Sequence, residues 1–240
     1  MNYEEFKMLL FQYAKNLEIV LSENQVKKFY EYMLLLLEWN ERINLTSITD
    51  EKNIVLKHFV DSITICKYIP KNAKLLDVGT GAGFPGIPAK IVRDDIEVVL
   101  LDSLNKRILF LDDVIDKLDM KNIQAVHGRA EEFGRNKDFR QSFDVVTSRA
   151  VANMAVLSEY LIPFSKLGGK CVIMKGSDFE EELNNSKKAI KVLGGKINSV
   201  DEFVLPASDM KRTIVVVDKV GDTPKQYPRK AGTPAKKPIS

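Results

Sequence analysis

The sequence predicts an α/β fold: a doubly wound, mostly parallel seven-stranded sheet preceded by an N-terminal helical extension. Three observations carry this. About seventy residues with helical apolar spacing come before any strand. After Pro70, short apolar runs alternate with helical stretches through short turns, the pattern of a parallel sheet with helices on both faces. A glycine cluster, Gly79, Gly81, Gly83 and Gly86, follows the first of those runs, where such a sheet turns into its first helix and holds a ligand.

The elements follow in order. Phe6, Leu9, Leu10, Tyr13, Ala14 and Leu17 recur at helical spacing, and Val26, Phe29, Tyr30, Met33 and Leu37 do so again. Ser22 with Gln25 three positions on is a capping-box signal for the second helix. A loop over 40–46 leads to further helical pattern from Asp50 to Tyr68. Strands are expected at Lys74–Val78, Ile96–Leu101, Ile123–Val126, Phe143–Thr147 and Gly169–Met174. Helices are expected over Leu104–Leu118, Val151–Ser165 and Phe179–Leu193. Two last strands, near Ile197–Leu205 and Thr213–Val217, have no helix between them, which predicts an antiparallel hairpin at one edge.

Composition bounds the function classes. Of 240 residues 45% are hydrophobic and 29% charged, the balance of a chain with a sizeable core. No apolar run is long enough to cross a membrane, Met1–Glu5 lacks the start of a secretory leader, and Cys66 and Cys171 form no ligand cluster. A cytoplasmic protein without metal or membrane partner is expected. The net charge of +3 is a property of the tail: residues 219–240 sum to +5 and the rest to about −2. Four prolines also fall there. The chain therefore divides into a helical extension (1–70), a sheet domain (71–220) and a basic, proline-rich tail (221–240), expected to be flexible: either a solubilising end or an arm for nucleic-acid phosphates.

The glycine cluster holds the chemistry. Gly81-Ala-Gly83-Phe-Pro-Gly86 spells the dinucleotide fingerprint GxGxxG, a weak match alone. Asp77, two positions before Gly79, changes the reading. A pyrophosphate disfavours a carboxylate there, whereas the ammonium of S-adenosylmethionine suits it. Asp102 closes the second strand, 25 residues after Asp77, in position to accept both ribose hydroxyls. Ser103 and Leu104 would flank the adenine, and the Gly128-Arg-Ala130-Glu131 turn offers an amide and a carboxylate to its edge.

These residues resemble one family closely. The segments 44–46, 58–62, 76–88, 101–107 and 148–150, above all Gly83-Phe-Pro-Gly-Ile-Pro88 and Leu101-Asp-Ser-Leu-Asn-Lys-Arg107, look like the bacterial RsmG family, also called glucose-inhibited division protein B. The likeness spans about residues 20–220. It implies a class I S-adenosylmethionine-dependent methyltransferase fold and methyl transfer to N7 of one guanine in 16S ribosomal RNA. It also implies that Gly79, Phe84, Asp102, Ser103, Leu104, Ala130, Glu131 and Arg149 contact the methyl donor.

Guanine N7 carries a lone pair and no proton, so its methylation needs no general base. The chain has two histidines, His58 and His127, and no evident nucleophile–base pair. Arg149 and Lys175, at the ends of the fourth and fifth strands, are the candidate catalytic residues at the lip where a base would enter. His127 reads as structural, and Phe29, Tyr30, Tyr32 and Trp39 as helix core. Two other functions compete: a nicotinamide-dependent oxidoreductase using the embedded GxGxxG, and a non-catalytic RNA-binding subunit.

Overall fold

The computed structural model describes residues 1–149, 152–177 and 179–239. Helices α1 (Tyr3–Asn16) and α2 (Glu23–Asn40) open the chain, each started by a capping box: Asn2 with Glu5, and Ser22 with Gln25. A helical run over 51–68 follows. It begins as α3 (Glu51–Ile54), widens into a π-helical turn at Val55–Val60, continues as α4 (Asp61–Ile63) and tightens into a 3-10 turn at Thr64–Tyr68.

Then strands and helices alternate: β1 (Lys74–Val78), α5 (Gly86–Val92), β2 (Glu97–Asp102), α6 (Asn105–Lys117), β3 (Ile123–His127), α7 (Ala130–Phe133), β4 (Phe143–Ser148), α8 (Met154–Leu161), β5 (Ser165–Lys175) and α9 (Glu180–Val192). The hairpin β6 (Gly195–Val204) and β7 (Lys211–Lys219) closes the sheet. Among the described residues seven strands form one sheet, in the order β3-β2-β1-β4-β5-β7-β6. β1 to β5 are parallel, and β7 is antiparallel to both neighbours. The expected edge hairpin is present, with β7 inserted between β5 and β6.

Successive side chains along a strand point to opposite faces, and on the central strands both faces are buried. Leu75, Val98, Leu100, Val145, Val172 and Val216 pack with α1, α2 and the 51–68 run. Their neighbours Leu76, Val99, Leu101, Val146, Cys171 and Val217 pack with α8 and α9. The N-terminal helices are therefore one covering layer of the sheet. Phe29 and Tyr32 are fully buried there, and Trp39 donates from Nε1 to Asp113 at 2.7 Å.

The helix expected over Val151–Ser165 is shorter: α8 starts at Met154, a 3-10 turn at Ile162–Phe164 ends it, and Ser165 already belongs to β5. Val151 lies outside the described residues. Pro163 in that last turn cannot continue an α-helical ladder.

The tail corrects an expectation. It is not a free arm. Thr223, Pro228 and Pro234 are buried, and Arg140 donates to the carbonyls of Thr223 (2.6 Å) and Tyr227 (2.7 Å). Arg135 donates to Pro228 O at 2.7 Å. Prolines lack an N–H but keep their carbonyls, so a proline-rich segment can dock when guanidinium groups from the core satisfy those oxygens.

Candidate methyl-donor site

The site forms at the carboxyl ends of β1, β2, β3 and β4, where an open α/β sheet binds ligands. After Val78 the chain turns through Gly79 (φ +69°), Gly81 (φ +63°) and Gly83 (φ +92°). Such angles strain any side-chain-bearing residue. Gly79 and Thr80 donate their amides to Leu101 O at 2.8 and 3.2 Å, which lays the loop along the end of β2. A Cβ on Gly79 or Gly81 would stand in open space, so both backbones present a bare face.

Two aspartates hold this loop from below. Asp77 Oδ2 accepts from Thr80 Oγ1 (2.6 Å) and Gly86 N (2.8 Å), and Asp77 has no exposed surface. Burial pushes its carboxyl up to about 7, against the pull of Thr80, Gly86 and Arg149 and with a further push from Asp102. Asp102 Oδ2 accepts from Gly81 N, and Oδ1 from Leu104 N, both at 2.9 Å; Arg107 adds an ion pair at 3.1 Å.

A cavity of about 290 Å³ opens above, lined by Gly79, Asp102, Ser103, Ala130 and Glu131 among others. Five of the sequence-predicted residues thus meet around one space. Asp77, Gly81, Gly83, Phe84 and Leu104 do not line it. Phe84 packs in the layer beneath the loop, stacked on the His58 ring with centroids 4.5 Å apart and with the Arg149 guanidinium 4.8 Å from its own centroid. Leu104 starts α6 and is 42% exposed. Leu157 and Tyr160 also line the cavity. Sequence reading missed them; they stand three apart on α8, on one helical face, but carry no motif.

The two candidate catalytic residues are engaged elsewhere. Arg149 donates to Lys57 O (2.8 Å), to His58 Nδ1 (3.0 Å) and to Asp61 Oδ2 (3.4 Å), a carboxylate that Arg212 shares at 3.0 Å. It ties the π-helical turn to the end of β4. Lys175 Nζ donates to Ala152 O (2.8 Å) and Glu182 Oε1 (2.9 Å), joining β5 to α9. His58 is buried, with Nε2 on Thr46 Oγ1 at 2.8 Å; burial and the Arg149 charge lower its pKa to about 3. His127 is exposed, and its Nε2 lies 3.1 Å from Ser103 O. Among the described residues no group of three or more His, Cys, Asp or Glu is placed to hold a metal ion.

A family model described as rRNA small subunit methyltransferase G matches residues 25–214. The chain belongs to that family. Its relative from Acetivibrio thermocellus, named Ribosomal RNA small subunit methyltransferase G, is 51% identical over 243 residues, covering 100% of both chains. A relative of the same name from Desulforamulus reducens is 52% identical, covering 98% of this chain and 99% of its own. The family model stops at residue 214, but these relatives align on through the C-terminal segment. The fold is shared more widely. The structure titled M. jannaschii TYW2 in complex with AdoMet matches 67% of this chain and 75% of its own, with a TM-score of 0.53 at 13% identity. A precorrin-6y C5,15-methyltransferase from Geobacter metallireducens covers 74% and 91%, with a TM-score of 0.50 at 14% identity.

Membership in the rRNA small subunit methyltransferase G family makes the chain an S-adenosylmethionine-dependent rRNA methyltransferase, and the nicotinamide and non-catalytic readings fall. The residues present fit the donor. Asp77 Oδ1, beneath the loop, is buried without a hydrogen-bond partner among the described residues, and Gly79 and Gly81 present backbone with open space where a Cβ would stand. Two carboxylates, Asp102 and Glu131, border the cavity, and as acceptors they suit a ligand with ribose hydroxyls and an adenine amino group.

Proposed function

We propose that this chain methylates N7 of a guanine in 16S ribosomal RNA, in the cytoplasm, on naked RNA or on an assembling small subunit. When bound, S-adenosylmethionine supplies an electrophilic methyl on a sulfonium. In this reading Gly79 and Gly81 let the donor approach the backbone, Asp102 accepts from its ribose, and Ser103, Ala130 and Glu131 hold its adenine. Asp77 and Phe84 support the loop from beneath, and Arg149 and Lys175 fix the lip.

One observation supports the choice of an aprotic nucleophile: among the described residues the end of β4 carries hydrogen-bond donors and no free base. Ser148 donates to Val78 O at 2.8 Å, and Arg149 stays protonated at every working pH. The neighbouring His58 has both ring nitrogens engaged and a pKa of about 3, far from that of an effective base near neutrality. Alignment of the nucleophile with the methyl is then the main contribution of the protein.

The test is to map N7-methylguanine in ribosomal RNA from parent and gene-deleted cells, and to restore it in vitro with the purified chain. A single N7 mark in 16S RNA should vanish and return. A lost mark on an exocyclic amine or a ribose would overturn the assignment. At saturating donor, single-turnover transfer should show no ascending limb between about pH 6 and 8, where an ordinary histidine base titrates.

A further inference from the structure

The C-terminal segment does more than cover the core. Beyond β7 the chain is anchored first by Thr223, which is 4% exposed, donates from Oγ1 to Leu193 O at 2.7 Å, and donates its amide to Gln141 Oε1 at 3.1 Å. It then runs across α8. Glu159 of that helix has no exposed surface, an expensive place for a charge unless it is paired. Arg229 pairs with it completely: Nη2 reaches Oε2 at 2.6 Å, Nε reaches Oε1 at 3.0 Å, and the Arg229 amide adds a third bond to Oε1 at 2.7 Å. Three residues further on, Gly232 (φ +79°) donates its amide to Glu131 Oε1 at 2.9 Å. Glu131 lines the donor cavity beside Tyr160, the residue that follows Glu159.

We infer that the C-terminal segment is a positioning element of the methyl-donor pocket, in which the Arg229–Glu159 fork holds the Gly232 amide against Glu131 so that the carboxylate is set to select adenine. The inference rests on the proposed reading of Glu131 as the adenine contact. A glutamate side chain has three rotatable bonds, and an unpaired carboxylate would swing toward water. A backbone donor fixed on one oxygen holds the plane of the group at the cavity wall. Gly232 suits the task because its positive φ turns the chain as it leaves the Arg229 anchor. Arg229 and Glu159 are positioning residues; neither lines the cavity.

The experiment measures nucleobase discrimination by calorimetry, as the ratio of dissociation constants for S-inosylhomocysteine and S-adenosylhomocysteine. Inosine puts an oxygen acceptor where adenine has its amino donor, so a carboxylate fixed on that position rejects it. The full-length wild type, Glu131→Gln, Arg229→Ala and Gly232→Pro are compared, with thermal melting to identify folded variants. The wild type should prefer the adenosyl ligand by about tenfold or more, the worth of a charged hydrogen bond. Arg229→Ala and Gly232→Pro should lose most of that preference, as Glu131→Gln does. Gly232→Pro removes the amide and also the positive φ, which proline cannot adopt, so it breaks the contact without replacing either partner of the Arg229 fork and tests it even if Arg229→Ala unfolds. If the wild type shows no preference, the reading of Glu131 itself fails. If Glu131→Gln loses the preference while folded Gly232→Pro keeps it, the segment only packs and the inference is overturned.

Discussion

Asp102 is the residue on which the donor loop converges, since its two oxygens serve Gly81, Leu104 and Arg107 at once. Asp102→Ala should weaken S-adenosylmethionine binding by about 1.5–3 kcal/mol, the usual worth of charged hydrogen bonds, measured by calorimetry on a variant that keeps its circular dichroism. Unchanged affinity would remove Asp102 from the site. Asp77 acts differently, because its folded-state carboxyl lies at about 7 and an unfolded one near 4. Between those values the unfolded chain gives up the proton and the native one keeps it, so the Asp77 contribution to stability is full below pH 4 and is lost as pH rises through 7. Wild type should lose about 2–4 kcal/mol across that window in denaturant titrations. Asp77→Asn, which keeps an acceptor for Gly86, should flatten the profile. A wild-type profile already flat would show that Asp77 is ionised throughout. His58 and Arg149 were legible as a pair of motif residues; their contact was not, because it joins positions 91 apart in the chain.

At the scale of elements, the π-helical turn at Val55–Val60 is where the N-terminal layer meets the sheet. π-turns leave carbonyls poorly paired and recur at functional sites; here Arg149 takes up Lys57 O while reaching His58 and Asp61. A lysine cannot reproduce that planar fork. Arg149→Lys should therefore lower the unfolding free energy by about 1–3 kcal/mol, seen as a lower denaturant midpoint with unchanged slope. No loss would mean that the other contacts of the 51–68 run suffice. Helix starts were readable where capping is local, as at Ser22 and Gln25. The end of α8 was not, since the Pro163 turn and the early start of β5 depend on pairing of Phe143 with Ser165.

At the scale of the molecule, charge is segregated. The +5 of residues 219–240 rides on a docked segment whose Lys225, Lys230, Lys236 and Lys237 remain exposed. Those four lysines carry the exposed positive charge of the segment. Replacing all four with Gln should reduce the slope of log affinity against log salt by about 3, counting one released ion per contact at the single-strand value. Adenosyl ligand affinity should not move, because Arg229 and Gly232 are untouched. An unaltered salt slope in a filter-binding series would return these lysines to a solubilising role.

The sequence by itself determined the sheet, its helical preface, the closing hairpin and the donor loop, because each is written in local terms. Period-2 and period-3.6 patterns report which faces are dry, and glycines report where the backbone must take positive φ. It also placed Asp102 at the end of the second strand and Glu131 in the turn that leaves the third, which is enough to bring them to one edge of a parallel sheet. Only the tertiary structure decided what the polar groups are used for. Arg149 and Lys175 look like free cations at the lip and are instead consumed, Arg149 by the carbonyls and carboxylate of a segment 88–92 residues away and Lys175 by Ala152 O and Glu182. The tail looks disordered by composition, yet it docks because Arg135, Arg140 and buried Glu159 supply the partners it lacks on its own. Composition counts what a segment carries; burial depends on what the rest of the chain holds out to it.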